Sequence, residues 1–261
     1  MRSSINARAV LAAGLGAFLF AGSAACASSE KRISAQKRSD THLALAQKLM
    51  EENRLPEALN QADLALEEAK KNPEAYMTRG QIEFLRTEYQ RSIDDFTLAL
   101  RYRPLFTEAR SWRAWAYIES GSLAEAERDY REGLNDRTYL TPEKLHLNLA
   151  LLLYRTGRDA EGLEELRLAV ATNPSYARGH YELGKALERS GDLKSALASY
   201  EAALGGMKDS ADLNLRIALA LEKGGEGGRA REHFKRVLEL SPDGPEALTA
   251  RDHLKRLESS S

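Results

Sequence analysis

A 34-residue period runs through most of this chain and leaves little freedom in what it can fold into. Blocks cut at 39–72, 73–106 and 107–140, then, after Thr141-Pro142, at 143–176, 177–210 and 211–244, carry like side chains at like slots. Slot 8 holds Ala46, Gly80, Ala114, Ala150, Gly184 and Ala218, and slot 20 holds Ala58, Ser92, Ala126, Gly162, Ala196 and Ala230. Slot 27 is again small, whereas slot 24 carries bulk in Phe96, Tyr130, Leu166, Tyr200 and Phe234. A period of this length marks a unit that cannot bury its apolar face alone and must stack on its neighbours.

The slots read as two helices joined by a turn. Small residues at slots 8, 20 and 27 let helix axes approach to the short end of the usual range of about 8–10 Å, and the slot-24 side chain fills the space beside them. Turns fall at Ser120-Gly121-Ser122, Thr156-Gly157-Arg158, Ser190-Gly191-Asp192 and the glycine run 224–228, which has no following Gly-Lys-Ser/Thr and so is not a phosphate loop. Pro104, Pro174 and Pro242, at slot 32, end the second helix of their blocks. Block one lacks that proline and has small Ala62 at slot 24, as an atypical first repeat would. Residues 245–258 begin with Pro245 and show apolar Ala247, Leu248, Leu254 and Leu257, the pattern of a capping helix over the last block.

This register resembles the tetratricopeptide repeat. The resemblance implies an all-α fold, a right-handed superhelical solenoid of six such repeats plus a C-terminal capping helix. Gly80, Ala114, Ala126, Gly184, Ala196 and Ala230 are its packing residues.

The segment before the repeats has another character. Arg2 and Arg8 precede the apolar run Val10 to Phe20 and the small residues Ala21 to Ala25, so residues 1–25 read as an export signal. Cys26 is the single cysteine and cannot form an internal disulfide. Ser23-Ala24-Ala25-Cys26 resembles a bacterial lipobox, with Ser23 where Leu is usual, and implies that Cys26 is lipidated. Ordinary cleavage to a soluble periplasmic protein is the alternative. Ala27 follows, with no Asp to suggest retention at the inner membrane, so the outer membrane, periplasmic face, is the expected address. Residues 27–38 lack apolar periodicity and are expected to form a flexible tether reaching about 20 Å.

Nothing in the sequence points to chemistry. Lys plus Arg (38) nearly cancels Asp plus Glu (39), which excludes a basic nucleic-acid footprint. His42, His146 and His180 sit one per block at slot 4, read as packing residues and form no metal site. Adjacent acids such as Glu51-Glu52 and Asp94-Asp95 suit solvated helix faces. No enzyme activity, cofactor, metal or small-molecule substrate is expected beyond the lipid on Cys26.

Binding is expected instead. In tetratricopeptide repeats the first helices line a concave surface, and the corresponding slots here hold Met77, Phe84, Trp112, Trp115, Ile118, Leu147, Leu151 and Tyr154. Trp115 and Tyr154 are the best placed to meet a partner, whereas packing between helices explains Trp112 and Leu151 equally well. In blocks five and six the slots turn charged, with Arg178, Glu182, Lys185, Glu188, Arg189, Arg216, Glu222 and Lys223.

A leader with a lipobox, a tether, six repeats and a two-residue insertion between blocks three and four, in the stretch Asp136-Arg137-Thr138-Tyr139-Leu140-Thr141-Pro142 followed by Asn148, resemble the type IV pilus biogenesis lipoproteins (pilotins). In those proteins the Pro stands next to the Tyr. The resemblance implies a protein partner, the pilus secretin, whose subunits are helped to localise and to assemble into their ring. Two other readings stay open, an adaptor lipoprotein for a periplasmic protease or cell-wall enzyme and a scaffold of an unrelated envelope complex.

Overall fold

The computed structural model describes residues 30–259. Among these every regular element is a helix, and none is long and apolar enough to cross a membrane. The chain divides into two compact units at Ser122/Leu123.

The first unit holds α1 (30–51), α2 (Leu55–Glu68), α3 (Pro73–Leu85), α4 (Tyr89–Tyr102) and α5 (Thr107–Glu119). Residues 30–38, expected as tether, are helical and continuous with α1. The correction has a local cause. Glu, Lys, Arg, Ala and Gln are good helix formers, Gln36 donates to Asp40 one turn on (2.8 Å), and Arg38 pairs with Glu68 of α2 (2.7 Å). Polar helix needs no apolar stripe when such pairs hold it. The leader, Cys26 and residues 27–29 lie outside the described residues.

Helix starts are written into the sequence. Pro73 opens α3 behind Asn72, whose side chain accepts from the Glu74 N–H (3.1 Å) and which is itself held by a bond to Ser39 (2.9 Å). Hairpin turns place one residue in the left-handed region, Gly121 at φ 86° and Gly191 at 85°, positions that glycine takes without strain. The equivalent residue between α3 and α4 is Thr87, at φ 63°.

Packing follows the slots. A Cβ on Gly80 would lie 2.8 Å from Cε1 of Phe96, so α3 and α4 approach as closely as glycine permits, and Ser92 donates to the Gly80 carbonyl (2.8 Å). Ala114 is fully buried.

The second unit holds α6 (Leu123–Leu134), α7 (Pro142–Arg155), α8 (Asp159–Thr172), α9 (Ala177–Arg189), α10 (Leu193–Met207), α11 (Ala211–Lys223), α12 (Gly227–Leu240) and α13 (Pro245–Ser259). Gly184 meets Tyr200 as Gly80 meets Phe96, with a Cβ at 2.5 Å from the ring. Ala126, Ala196 and Ala230 are fully buried. One continuous buried cluster runs from Leu147 through Leu183, Tyr200 and Ile217 to Phe234 and Ala250. The last two glycines of the run 224–228 already belong to α12.

Helix α13 closes this cluster with Ala250, Leu254 and Leu257, and Ala247 is buried as well. Leu248, expected among them, is 66% exposed. At 3.6 residues per turn it stands about 100° from Ala247 and falls off the stripe that Ala250 completes.

Candidate functional site

In the first unit, the turn-proximal ends of α3 and α5 bring four aromatic rings together. Phe84 lies 4.8 Å from Trp115 and 5.6 Å from Trp112, and the two tryptophans stack at 5.2 Å. Tyr89 of α4 closes on Phe84 at 5.5 Å. The residues divide by depth. Trp112 is half-buried and reaches the fully buried Phe96 at 6.4 Å, so it belongs to packing, with Met77 on the same cluster. Trp115 stays 45% exposed and Leu85, next to Phe84 in the chain, 48%, while Ile118 is half-buried. The site is an aromatic shelf whose inner edge is core and whose outer edge meets water. Tyr89, the first residue of a second helix, was invisible to a reading confined to first-helix slots.

In the second unit the expected residues part company. Leu147 is 5% exposed and lies in the shared buried cluster with Leu183 and Leu187, which corrects its expected partner-facing role; the next first helix covers it. Leu151, one turn on, is 40% exposed. Tyr154 is half-buried, its ring in close contact with Gly162 of α8, where a Cβ would lie 3.0 Å away.

The charged slots are largely satisfied among themselves. Glu182 is buried between Arg178 (2.8 Å) and Lys185 (2.9 Å). Arg216 bridges Asp212 and Glu188, both at 3.0 Å. Tyr181 donates to Asp212 and Tyr200 to Glu188 (2.7 Å). His253 of α13 bonds Glu222 and stacks on Phe234 at 5.1 Å. Pairing lets these groups sit half-buried at modest cost. Burial raises the phenols of Tyr181 and Tyr200, and the carboxylates that accept from them push the same way. This face of α9 and α11 therefore presents a neutralised lattice rather than a field of free charge.

The histidines serve hairpin contacts. His42 meets Gln61 (2.8 Å) and His146 meets Glu165 (2.7 Å), while His180 bonds the Pro174 carbonyl (3.0 Å). Asn214, at the same slot in the α11 hairpin, meets His233 (2.9 Å). Among the described residues no group of three His, Cys, Asp or Glu could hold a metal. The stretch 136–141 between α6 and α7 folds as a turn in which Asp136 accepts from the Thr138 N–H (2.9 Å), and it leaves Leu140 92% exposed.

Stacked helical hairpins with small-against-large contacts and an exposed aromatic shelf define a helical-repeat binding protein. The tetratricopeptide-repeat model matches residues 43–101, 86–139, 147–212 and 181–245, and the chain belongs to that family of protein-interaction scaffolds. Its fold is similar to that of Pseudomonas aeruginosa pilF (TM-score 0.72, 14% identity, 87% of this chain and 100% of that one). It is also similar to PilW, a widely conserved type IV pilus biogenesis factor (TM-score 0.68, 22% identity, 81% and 97%). In sequence it is 27% identical over 184 residues to a DnaJ homolog subfamily C member 7 homolog of Schizosaccharomyces pombe, a match spanning 63% of this chain but only 37% of that protein.

Proposed function

We propose that this chain is a lipid-anchored binding module of the bacterial outer membrane that holds secretin subunits of the type IV pilus while their ring assembles. The observation that carries the reading is the shelf of Phe84, Trp112 and Trp115, whose outer ring is open to solvent. Exposed Trp in a preorganised aromatic cluster is the usual anchor of a protein interface, worth about 2 kcal/mol or more on truncation. The fold shared with PilW and the lipobox-like segment ending at Cys26 support the choice of partner.

The mechanism needs no bond-making. An acylated Cys26 confines the module to the membrane where the ring forms and raises the effective concentration of bound subunits. Occupying one subunit's exposed strand edges keeps it from pairing wrongly before insertion.

Deleting the gene abolishes heat-stable secretin multimers on gels that preserve them, and Trp115→Ala reduces them without loss of helical signal. Cys26→Ala moves the protein from the membrane to the soluble fraction. Normal multimers and normal pili in the deletion strain would remove the secretin reading.

A further inference from the structure

Beside the face of the second unit, Tyr154 has a need that the fold does not meet. Its hydroxyl is buried, and nothing accepts its proton. The Arg189 guanidinium lies 4.5 Å from the ring centre but is donor-only, so it leaves that proton without a partner. A buried donor left without an acceptor destabilises the fold.

The same tyrosine and arginine line a cavity of about 220 Å³ among the ends of α7, α8 and α9. Its walls are the hydrocarbon of Ala160, Leu163 and Ala186, and its remaining polar members are Ser190 and Asp159. Ser190 already donates to the Leu187 carbonyl (2.8 Å). Arg189 and Asp159 are different. Their neighbours Arg178, Lys185 and Arg216 all hold carboxylates, yet among the described residues neither Arg189 nor Asp159 forms an ion pair, with the other or with any third group. The cavity thus offers the Arg189 donors and the Asp159 acceptor with no net charge, and it gains the Tyr154 donor once that closed hydroxyl is uncovered.

We propose that this cavity receives a side-chain carboxamide, an Asn or Gln of a bound protein segment. Its carbonyl oxygen takes the Tyr154 and Arg189 donors, and its NH₂ donates to Asp159. A carboxylate would satisfy Arg189 but face Asp159, and an ammonium would do the reverse. The carboxamide answers both and brings no charge to desolvate. The cavity volume is several times the roughly 30 Å³ that one water molecule occupies, room for a small polar side chain. The Tyr154 oxygen is closed to solvent, so the guest reaches it when the exposed Arg189 side chain rotates off the ring.

That the guest belongs to a protein partner rests on the binding function proposed above, whereas the chemistry of the cavity is testable without any partner. Methyl NMR spectra of the intact chain are recorded while N-acetylglutamine amide, and separately N-acetylglutamate amide, is added. The glutamine compound is expected to shift the Leu163, Ala160 and Ala186 methyls saturably, and the glutamate compound to bind several-fold more weakly. Tyr154→Phe and Arg189→Ala each weaken the glutamine compound several-fold. The phenylalanine variant melts higher than the parent, which separates lost recognition from lost folding. No saturable shift, a response to glutamate as strong as to glutamine, or undiminished binding in both variants overturns the proposal. Normal secretin multimers in the deletion strain, with these shifts intact, would count against the partner and not against the pocket.

Discussion

Gly184→Ala measures how tightly the hairpins close. A methyl at 184 would stand 2.5 Å from both Cδ1 and Cε1 of Tyr200 and 3.0 Å from Cγ, where carbon contacts are comfortable near 3.5–4.0 Å. The ring has nowhere to go. It is fully buried, its hydroxyl is held by Glu188 (2.7 Å), and Glu188 is held by Arg216 (3.0 Å). Overpacking of this kind costs about 1–3 kcal/mol, and the geometry puts this site in the upper half of that range. Alanine returns about 1 kcal/mol of helix propensity, so the expected net loss is about 1–2 kcal/mol. Gly205, in the last turn of α10, has nothing within 4 Å of its would-be Cβ, and Gly205→Ala should gain about 0.5 kcal/mol. Urea unfolding followed by far-UV circular dichroism reads both as midpoint shifts of opposite sign. In a Tyr200→Leu background the Gly184→Ala penalty should shrink by at least half, because the ring that resists the methyl is gone. Equal stability of the two alanine variants, or a penalty unchanged by Tyr200→Leu, would refute close approach as the reason for glycine at slot 8.

Three further expectations use other parts of the fold. Thr87→Gly should stabilise the chain by about 1 kcal/mol, since a β-branched residue is strained at φ 63°; the urea midpoint checks it, and a lower midpoint contradicts it. Burial, assisted by the Arg229 charge, lowers the His233 pKa below its ordinary 6.5. The unfolded chain therefore binds this proton first, and stability is complete above about pH 6.5 and falls as the pH drops below it. His233→Gln, which can still donate to Asn214, should remove that part of the slope between pH 7 and the lowered value. Stacked at 5.2 Å, Trp112 and Trp115 should give an exciton couplet in the circular dichroism spectrum, which Trp115→Phe abolishes while the helical bands persist.

The reading of slots located packing well and exposure unevenly. Leu147 and Leu151 stand one turn apart in slots that look alike in sequence, yet one is core and the other is 40% exposed. Leu248 was legible as apolar but not as the residue that misses the stripe. Residues 30–38 carried no hydrophobic signal because their helix is held by Arg38–Glu68 and by local polar pairs, which leave no period to detect. The Tyr154 cavity could not be foreseen, since it is made by the ends of three helices.

What the amino-acid sequence settled alone was the repeat, its small-against-large register and the turns between helices. Those contacts join residues within one hairpin, and local spacing decides them. The tertiary structure decided which groove residues meet water, which charges cancel and where an unsatisfied donor remains. Much of this depends on what a neighbouring hairpin, about a block away along the chain, places against the side chain, as Glu188 against Arg216 and Asp212 against Tyr181.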